Sequence, residues 1–233
     1  MTEPLARQSS NETQRELEQL YRDRFSEREL ASKQALWRVL CDQVFQELVP
    51  ETGTVVDLGA GNCEFVNSIT AARRIAVDLN PDTVKFAGSG VEVLTTSASE
   101  MSMIDAGAVD TVFTSNFFEH LPSKVVLLDV LRECHRVTKP GGRMVVLMPN
   151  VRYLAGRYWD YFDHHLPLTH LSLSEGLQLA GYDVQRVVPR FLPYTVKDAR
   201  LSVRPWMVSA YLRVKPVWPV LGRQMLVVAT RGG

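Results

Sequence analysis

Apolar positions along the chain change period near residue 53. Before it, Leu17, Leu20, Tyr21 and Phe25 recur at helical spacing, and Leu36, Val39, Leu40, Val44, Phe45 and Leu48 do so again. Two helices are therefore expected over residues 11–49, closed by Pro50 and Gly53. Short apolar runs then take over. They predict strands at 54–58, 73–78, 91–95, 109–115 and 143–149. Helical patterns at 63–71, 81–87 and 122–138, and a short turn near 99–104, fit between them. Pro81, Pro122 and Pro140-Gly141-Gly142 sit at the joints. Short apolar strands joined by helical crossovers imply a buried parallel sheet. After Asn150 the rhythm breaks into a stretch crowded with aromatics and histidines, 150–171. A helix at 172–180 follows, then a strand at 182–189 and a proline-containing segment at 190–222. The last strand, 224–230, makes seven and is expected to pair as a hairpin with the sixth.

Composition changes this picture little. The 233 residues are 45% hydrophobic and 22% charged, ordinary values for a globular chain with one sizeable core. No apolar run approaches the roughly 20 residues that cross a bilayer. The N-terminal stretch MTEPLARQSSNETQ has no apolar core of a secretion signal. Cys41, Cys63 and Cys134 lack metal-site spacing and suit reduced thiols, so a cytoplasmic setting is expected. The charge is zero overall but uneven, since residues 186–233 hold nine Lys/Arg and only Asp198 as an acid. That excess is either a solvated basic face or an attraction to anionic substrate, phosphate or a membrane surface.

The stretch TVVDLGAGNCEF, residues 54–65, carries the first chemistry. A strand ending at Asp57, a glycine turn and a following helix place free backbone N–H groups at the carboxyl edge of a parallel sheet. Asp78 ends the next strand, where a carboxylate can accept both hydroxyls of a ribose. With SNFFEHLP at 115–122 and LRECHRVTKPGGRMVV at 131–146, the chain resembles the class I S-adenosylmethionine-dependent methyltransferases, most closely a broad bacterial type 11 group. The resemblance covers 53–149 well and 170–230 more loosely. It implies an α/β fold with a Rossmann-like seven-stranded sheet, parallel except for an antiparallel last strand, with helices on both faces. It also implies an N-terminal helical cap at 1–52 and a methyltransferase domain at 53–233, with substrate-facing insertions at about 150–171 and 190–222.

The cofactor implied is S-adenosylmethionine. Its amino-acid end is expected at Asp57, Gly59, Ala60 and Gly61, and its ribose at Asp78 and Leu79. Its adenine is expected at Ser97 and Ala98, with Asn116 and Phe117 closing the site. Tyr21, Arg24 and Phe25 could face it from the cap. Glu119-His120 resembles the acid–histidine segment of metal-dependent O-methyltransferases, with Asn116 in place of one acid. By that resemblance Glu119, His120 and His170 would hold a divalent ion such as magnesium. A divalent ion lowers the pKa of a bound hydroxyl. The plain alternative is an acid that favours a helix N-terminus.

Asp163-His164-His165 and His170, flanked by Trp159, Tyr161 and Phe162, form a second cluster. Histidine titrates near neutral pH and can take a hydroxyl proton, so Glu119, His120, His164, His165 and His170 are the catalytic candidates. The acceptor suggested by the type 11 resemblance is a small molecule, such as a sugar or lipid-linked glycan hydroxyl. An RNA 2′-hydroxyl, a quinone-type phenol and a non-catalytic cofactor-binding protein are the alternatives. A pI near 7.0 without a concentrated basic stripe argues against nucleic acid. Trp206, Tyr211 and Trp218, interleaved with Arg204, Arg213 and Lys215, would suit a membrane interface or an irregular packed insertion.

Overall fold

The computed structural model describes residues 27–194 and 203–232. Within them the seven strands are β1 (Thr54–Leu58), β2 (Arg73–Asp78), β3 (Val91–Thr95), β4 (Val109–Ser115), β5 (Thr138–Pro149), β6 (Tyr182–Leu192) and β7 (Gln224–Arg231). They form one sheet in the order β3-β2-β1-β4-β5-β7-β6. Only β7 runs against the rest, between β5 and β6, so the expected antiparallel pair of β6 and β7 is present.

Strand alternation builds a core on each face of this sheet. Val56, Val112 and Val146 pack toward α2 (Lys124–Val137) and α3 (His170–Leu179). Their neighbours Val55, Phe113 and Val145 pack toward the other side, where Leu40, Phe45 and Leu212 lie. These belong to α1 (Glu27–Leu40), its five-residue π-helical extension Cys41–Phe45, and α4 (Pro205–Arg213). Full burial of such a valine or leucine contributes about 1.5–3 kcal/mol, which is why both faces read as apolar in sequence. The described part of the expected cap therefore shares a core with the sheet. Its first helix, with Leu17, Leu20, Tyr21, Arg24 and Phe25, lies outside the described residues, as does Asp198.

Three local expectations need correction. Residues 63–71 are not a helix: Cys63 has φ +58°, a left-handed value that breaks helical propagation. The following N–H groups go to mixed partners, Asn67 to the Cys63 carbonyl (3.0 Å), Ser68 to that of Phe65 (2.8 Å) and Val66 to the Asp57 carboxylate (3.2 Å). The segment is a run of turns. The pattern at 81–87 is a 3₁₀ turn, Pro81–Lys85, capped by the Asn80 side chain. Lys139-Pro140-Gly141-Gly142 does not precede β5 but lies inside it, as an irregularity that shifts its register against β4. A Cβ on Gly142 would meet backbone oxygens of Lys139 and Asp110 at 2.9 and 3.0 Å, which explains the glycine.

Candidate active site

The strand order reverses between β1 and β4, and the chain leaves their carboxyl ends in different directions. A crevice opens there. It is walled by Asp57, Gly59, Ala60 and Gly61 after β1, by Asn62, Glu64 and Phe65 of the turns, by Ser115 and Asn116 after β4, and by Lys33 and Trp37 of α1. Gln34 fixes the helix over the crevice, donating to the Glu64 carbonyl (3.1 Å) and the Ser68 hydroxyl (2.7 Å).

The glycines have separable reasons. Gly59 (φ +69°) is pressed against Phe117, whose Cγ would lie 2.6 Å from an added Cβ. Gly61 (φ +49°) has nothing within 4 Å of that position, so its missing side chain leaves open crevice. The loop is pinned to β2: Gly59 and Ala60 donate to the Val77 carbonyl at 2.9 and 3.2 Å. Asp78 uses one carboxylate oxygen for the Gly61 N–H (2.7 Å) and the other for that of Asn80 (2.8 Å). It shapes the loop itself, and each oxygen keeps a second lone pair for a hydroxyl. Asp57 is 4% exposed, and burial pushes its carboxyl up to about 8 against the Val66 hydrogen bond.

Among the expected cofactor residues, Asp57, Gly59, Ala60, Gly61 and Asn116 wall the crevice. Asn116 has φ +49°, an unusual but tolerated value for asparagine. Phe117 lies beneath Gly59. Leu79 is exposed, Ala98 is buried in the core, and the Ser97 hydroxyl sits 2.9 Å from that of Ser99. Asn62, Glu64, Phe65 and Ser115 lie inside the quoted motifs without being singled out, and Lys33 and Trp37 lie outside any motif. Trp37 could have been found from its place one turn before the buried Cys41.

Beyond Asn116 the chain makes a 3₁₀ turn, Phe118–His120. Glu119 there is 1% exposed, and its Oε2 has no hydrogen-bond partner among the described residues. Burial pushes its carboxyl up to about 8. One ligand atom each of Glu119, His120 and His164 fall within 4.8 Å of one another. The His120 Nδ1 faces the Asp163 carbonyl (2.9 Å) and that of His164 faces the Tyr158 carbonyl (2.9 Å). A carbonyl only accepts, so each Nδ1 donates to it, and the Asp163 carboxylate lies 3.5 Å from the His120 Nδ1 as well. The Glu119 carbonyl accepts the N–H groups of His165 (2.8 Å) and Leu166 (3.0 Å), clamping the later segment onto the turn.

The expected set of Glu119, His120 and His170 is corrected. His170 is the first residue of α3, behind the Thr169 cap, beside the Asn150 amide (3.0 Å) and the Tyr153 ring, and His164 takes its place in the cluster. His165 is exposed, and what it lends is its backbone N–H. Aromatic rings crowd His164: Tyr158 at 4.7 Å and Tyr161 at 5.0 Å, with Tyr194 at 6.0 Å from Tyr161. Trp159 and Phe162 are exposed at 56% and 82%. On the segment considered for a membrane interface, Trp206 is exposed but Trp218 is buried, its Nε1 donating to the Tyr211 carbonyl. All three cysteines are free and buried. Among the described residues no helix is long and apolar enough to cross a membrane.

Comparison with known proteins agrees with this architecture. Residues 56–146 match the family model described as a methyltransferase domain. No curated protein sequence matches. Among solved structures, an S-adenosylmethionine-dependent methyltransferase from Archaeoglobus fulgidus is 21% identical with a TM-score of 0.64, covering 86% of this chain and 95% of that one. One from Mesorhizobium loti is 17% identical (TM-score 0.56, 79% and 94% covered). A geranyl diphosphate methyltransferase in complex with S-adenosylmethionine is 19% identical (TM-score 0.60, 87% and 85% covered). At these identities the structures speak for the fold.

Proposed function

We propose that this chain, which belongs to the class I S-adenosylmethionine-dependent methyltransferases, moves the methyl group to a hydroxyl oxygen of a small molecule such as a sugar or glycan precursor. The observation that carries the reading is the Glu119–His120–His164 cluster at the same sheet edge as the crevice. A hydroxyl is a weak nucleophile until its proton is drawn away, and this cluster gathers the groups that can do so. Nitrogen and thiolate acceptors have less need of it.

The crevice holds S-adenosylmethionine in this reading. Asp57 and the Gly59–Gly61 turn take its amino-acid end, Asp78 and Leu79 its ribose, Ser97 and Ala98 its adenine side, and Asn116 and Phe117 close it. The acceptor enters past the exposed Trp159 and Phe162, whose faces suit the C–H face of a sugar ring. Bound in the crevice, S-adenosylmethionine would supply an electrophilic methyl group on its sulfonium, and the Glu119–His120–His164 cluster would take up the acceptor's hydroxyl proton.

The test is transfer of labelled methyl from S-adenosylmethionine to a panel of sugars, phenols and RNA. Label is expected on sugar oxygen, with Glu119→Gln losing at least about tenfold in rate while keeping S-adenosylhomocysteine affinity. Label confined to nitrogen, carbon or sulfur refutes oxygen transfer. Label on RNA or phenol alone refutes the acceptor class.

A further inference from the structure

We propose that Glu119, His120 and His164 form a binding site for one divalent transition-metal ion, of the zinc, cobalt or iron(II) class. The proposal deepens the hydroxyl-transfer reading and rests on it for the ion's purpose.

Four observations converge. The first is distance. Metal–nitrogen and metal–oxygen bonds of about 2.0–2.2 Å set the ligand atoms of a tetrahedral ion about 3.3–3.6 Å apart. The three candidates already lie within 4.8 Å, so side-chain adjustments of about an ångström close the shell. The second is the orphaned Glu119 Oε2. A buried carboxyl oxygen with no donor among the described residues is costly, and a cation is a partner that would satisfy it. The third is orientation. Each imidazole is held by its Nδ1 on a backbone carbonyl, Asp163 for His120 and Tyr158 for His164. Metal-binding histidines use that arrangement to fix the tautomer and present Nε2. The fourth is rigidity that owes nothing to an ion. The Glu119 carbonyl accepts the N–H groups of His165 and Leu166, so backbone bonds alone hold the two ligand-bearing segments together.

The donor set selects the ion. Two imidazoles and one carboxylate suit zinc, cobalt or iron(II), whereas magnesium takes oxygen and keeps its waters. The magnesium expected from sequence does not fit these residues. Three protein ligands leave open positions, where a hydroxyl, or two neighbouring ones, can bind the ion. An oxygen so bound loses its proton more readily.

Full-length protein, stripped with a chelator, is titrated with Zn²⁺ and with Co²⁺. Bound metal is measured by plasma mass spectrometry, Co²⁺ by its visible absorption, and folding by circular dichroism. About one ion per chain is expected, with a raised thermal midpoint. Glu119→Gln and His164→Asn should each weaken binding by at least about tenfold while S-adenosylhomocysteine still binds. His170→Asn should bind as the wild type does. Folded, cofactor-binding wild type that takes up no stoichiometric ion overturns the proposal, as does undiminished binding by Glu119→Gln. Methylation of a hydroxyl at full rate by metal-free protein also overturns it, and leaves the hydroxyl-transfer reading standing. Stoichiometric binding without oxygen methylation keeps the site and removes that reading.

Discussion

Gly59 and Gly61 share a left-handed backbone and a single turn, yet alanine at each should fail differently. An L-residue held in that region costs about 1–2 kcal/mol. Both variants, Gly59→Ala and Gly61→Ala, carry this penalty, with φ at +69° and +49°. Only Gly59→Ala also drives a methyl into Phe117, whose Cγ, Cδ2 and Cβ would stand 2.6, 2.7 and 2.8 Å away. The ring packs against the core cluster that contains Phe118 and cannot retreat without disturbing it. Overpacking of this kind adds about 1–3 kcal/mol. Gly59→Ala should therefore lose about 2–5 kcal/mol and Gly61→Ala about 1–2 kcal/mol, read from urea unfolding midpoints. Calorimetric titration with S-adenosylhomocysteine should rank them the other way once both are folded. The Gly61 methyl projects into the crevice and should weaken binding more than tenfold, a loss above about 1.4 kcal/mol. A double variant with Phe117→Ala should recover part of the Gly59→Ala loss and none of the Gly61→Ala loss. Equal destabilisation by the two alanines, or no recovery with Phe117→Ala, would refute the argument that packing and ligand approach are divided between these glycines.

Two pH-dependent effects of opposite sign follow from the carboxylates. Asp57 has its folded pKa raised from 3.8 to about 8 by burial, so its charged form opposes folding. Relative to Asp57→Asn, the ligand-free wild type should lose stability as pH rises from about 4 to about 8 and then level off, by several kcal/mol at most. A flat or rising difference in unfolding free energy over that window would sink the assignment. Burial raises the Asp110 carboxyl as well, but hydrogen bonds from Lys139 (2.7 Å) and the Thr54 N–H (2.7 Å) outweigh it and hold it below 3.8. Asp110→Asn should cost about 1 kcal/mol at pH 7, the pair being part-exposed, and the cost should shrink as pH falls below the ordinary value of 3.8 and through the depressed folded one. Chemical unfolding at pH 7 and pH 3 checks it, and an unchanged cost at pH 3 counts against it.

The sheet was legible because its physics is local. Each strand must show apolar residues to both faces, and runs such as Met144–Met148 state this without help from distant contacts. Prolines and glycines marked the ends for the same reason. What failed was whatever depended on one dihedral or one partner. The helix expected from Cys63 assumed a right-handed cysteine, and nothing in a side-chain pattern signals φ +58°. The Pro140-Gly141-Gly142 run signals a break in chain direction, but a turn before a strand and an irregularity inside one carry the same residues.

The two halves of the candidate site differ in the same way. The Asp57–Gly61 loop lies within one turn of one strand, so its sequence spacing is its spatial spacing. The cluster of Glu119, His120 and His164 joins segments more than forty residues apart. Spacing could say that His164, His165 and His170 were available, not which one arrives. The choice is made by the Glu119 carbonyl, which accepts the N–H groups of His165 and Leu166. Those bonds hold the stretch with His164 buried and His165 exposed. The identity of the third member of the cluster is thus a consequence of two backbone hydrogen bonds, and no side-chain motif encodes it.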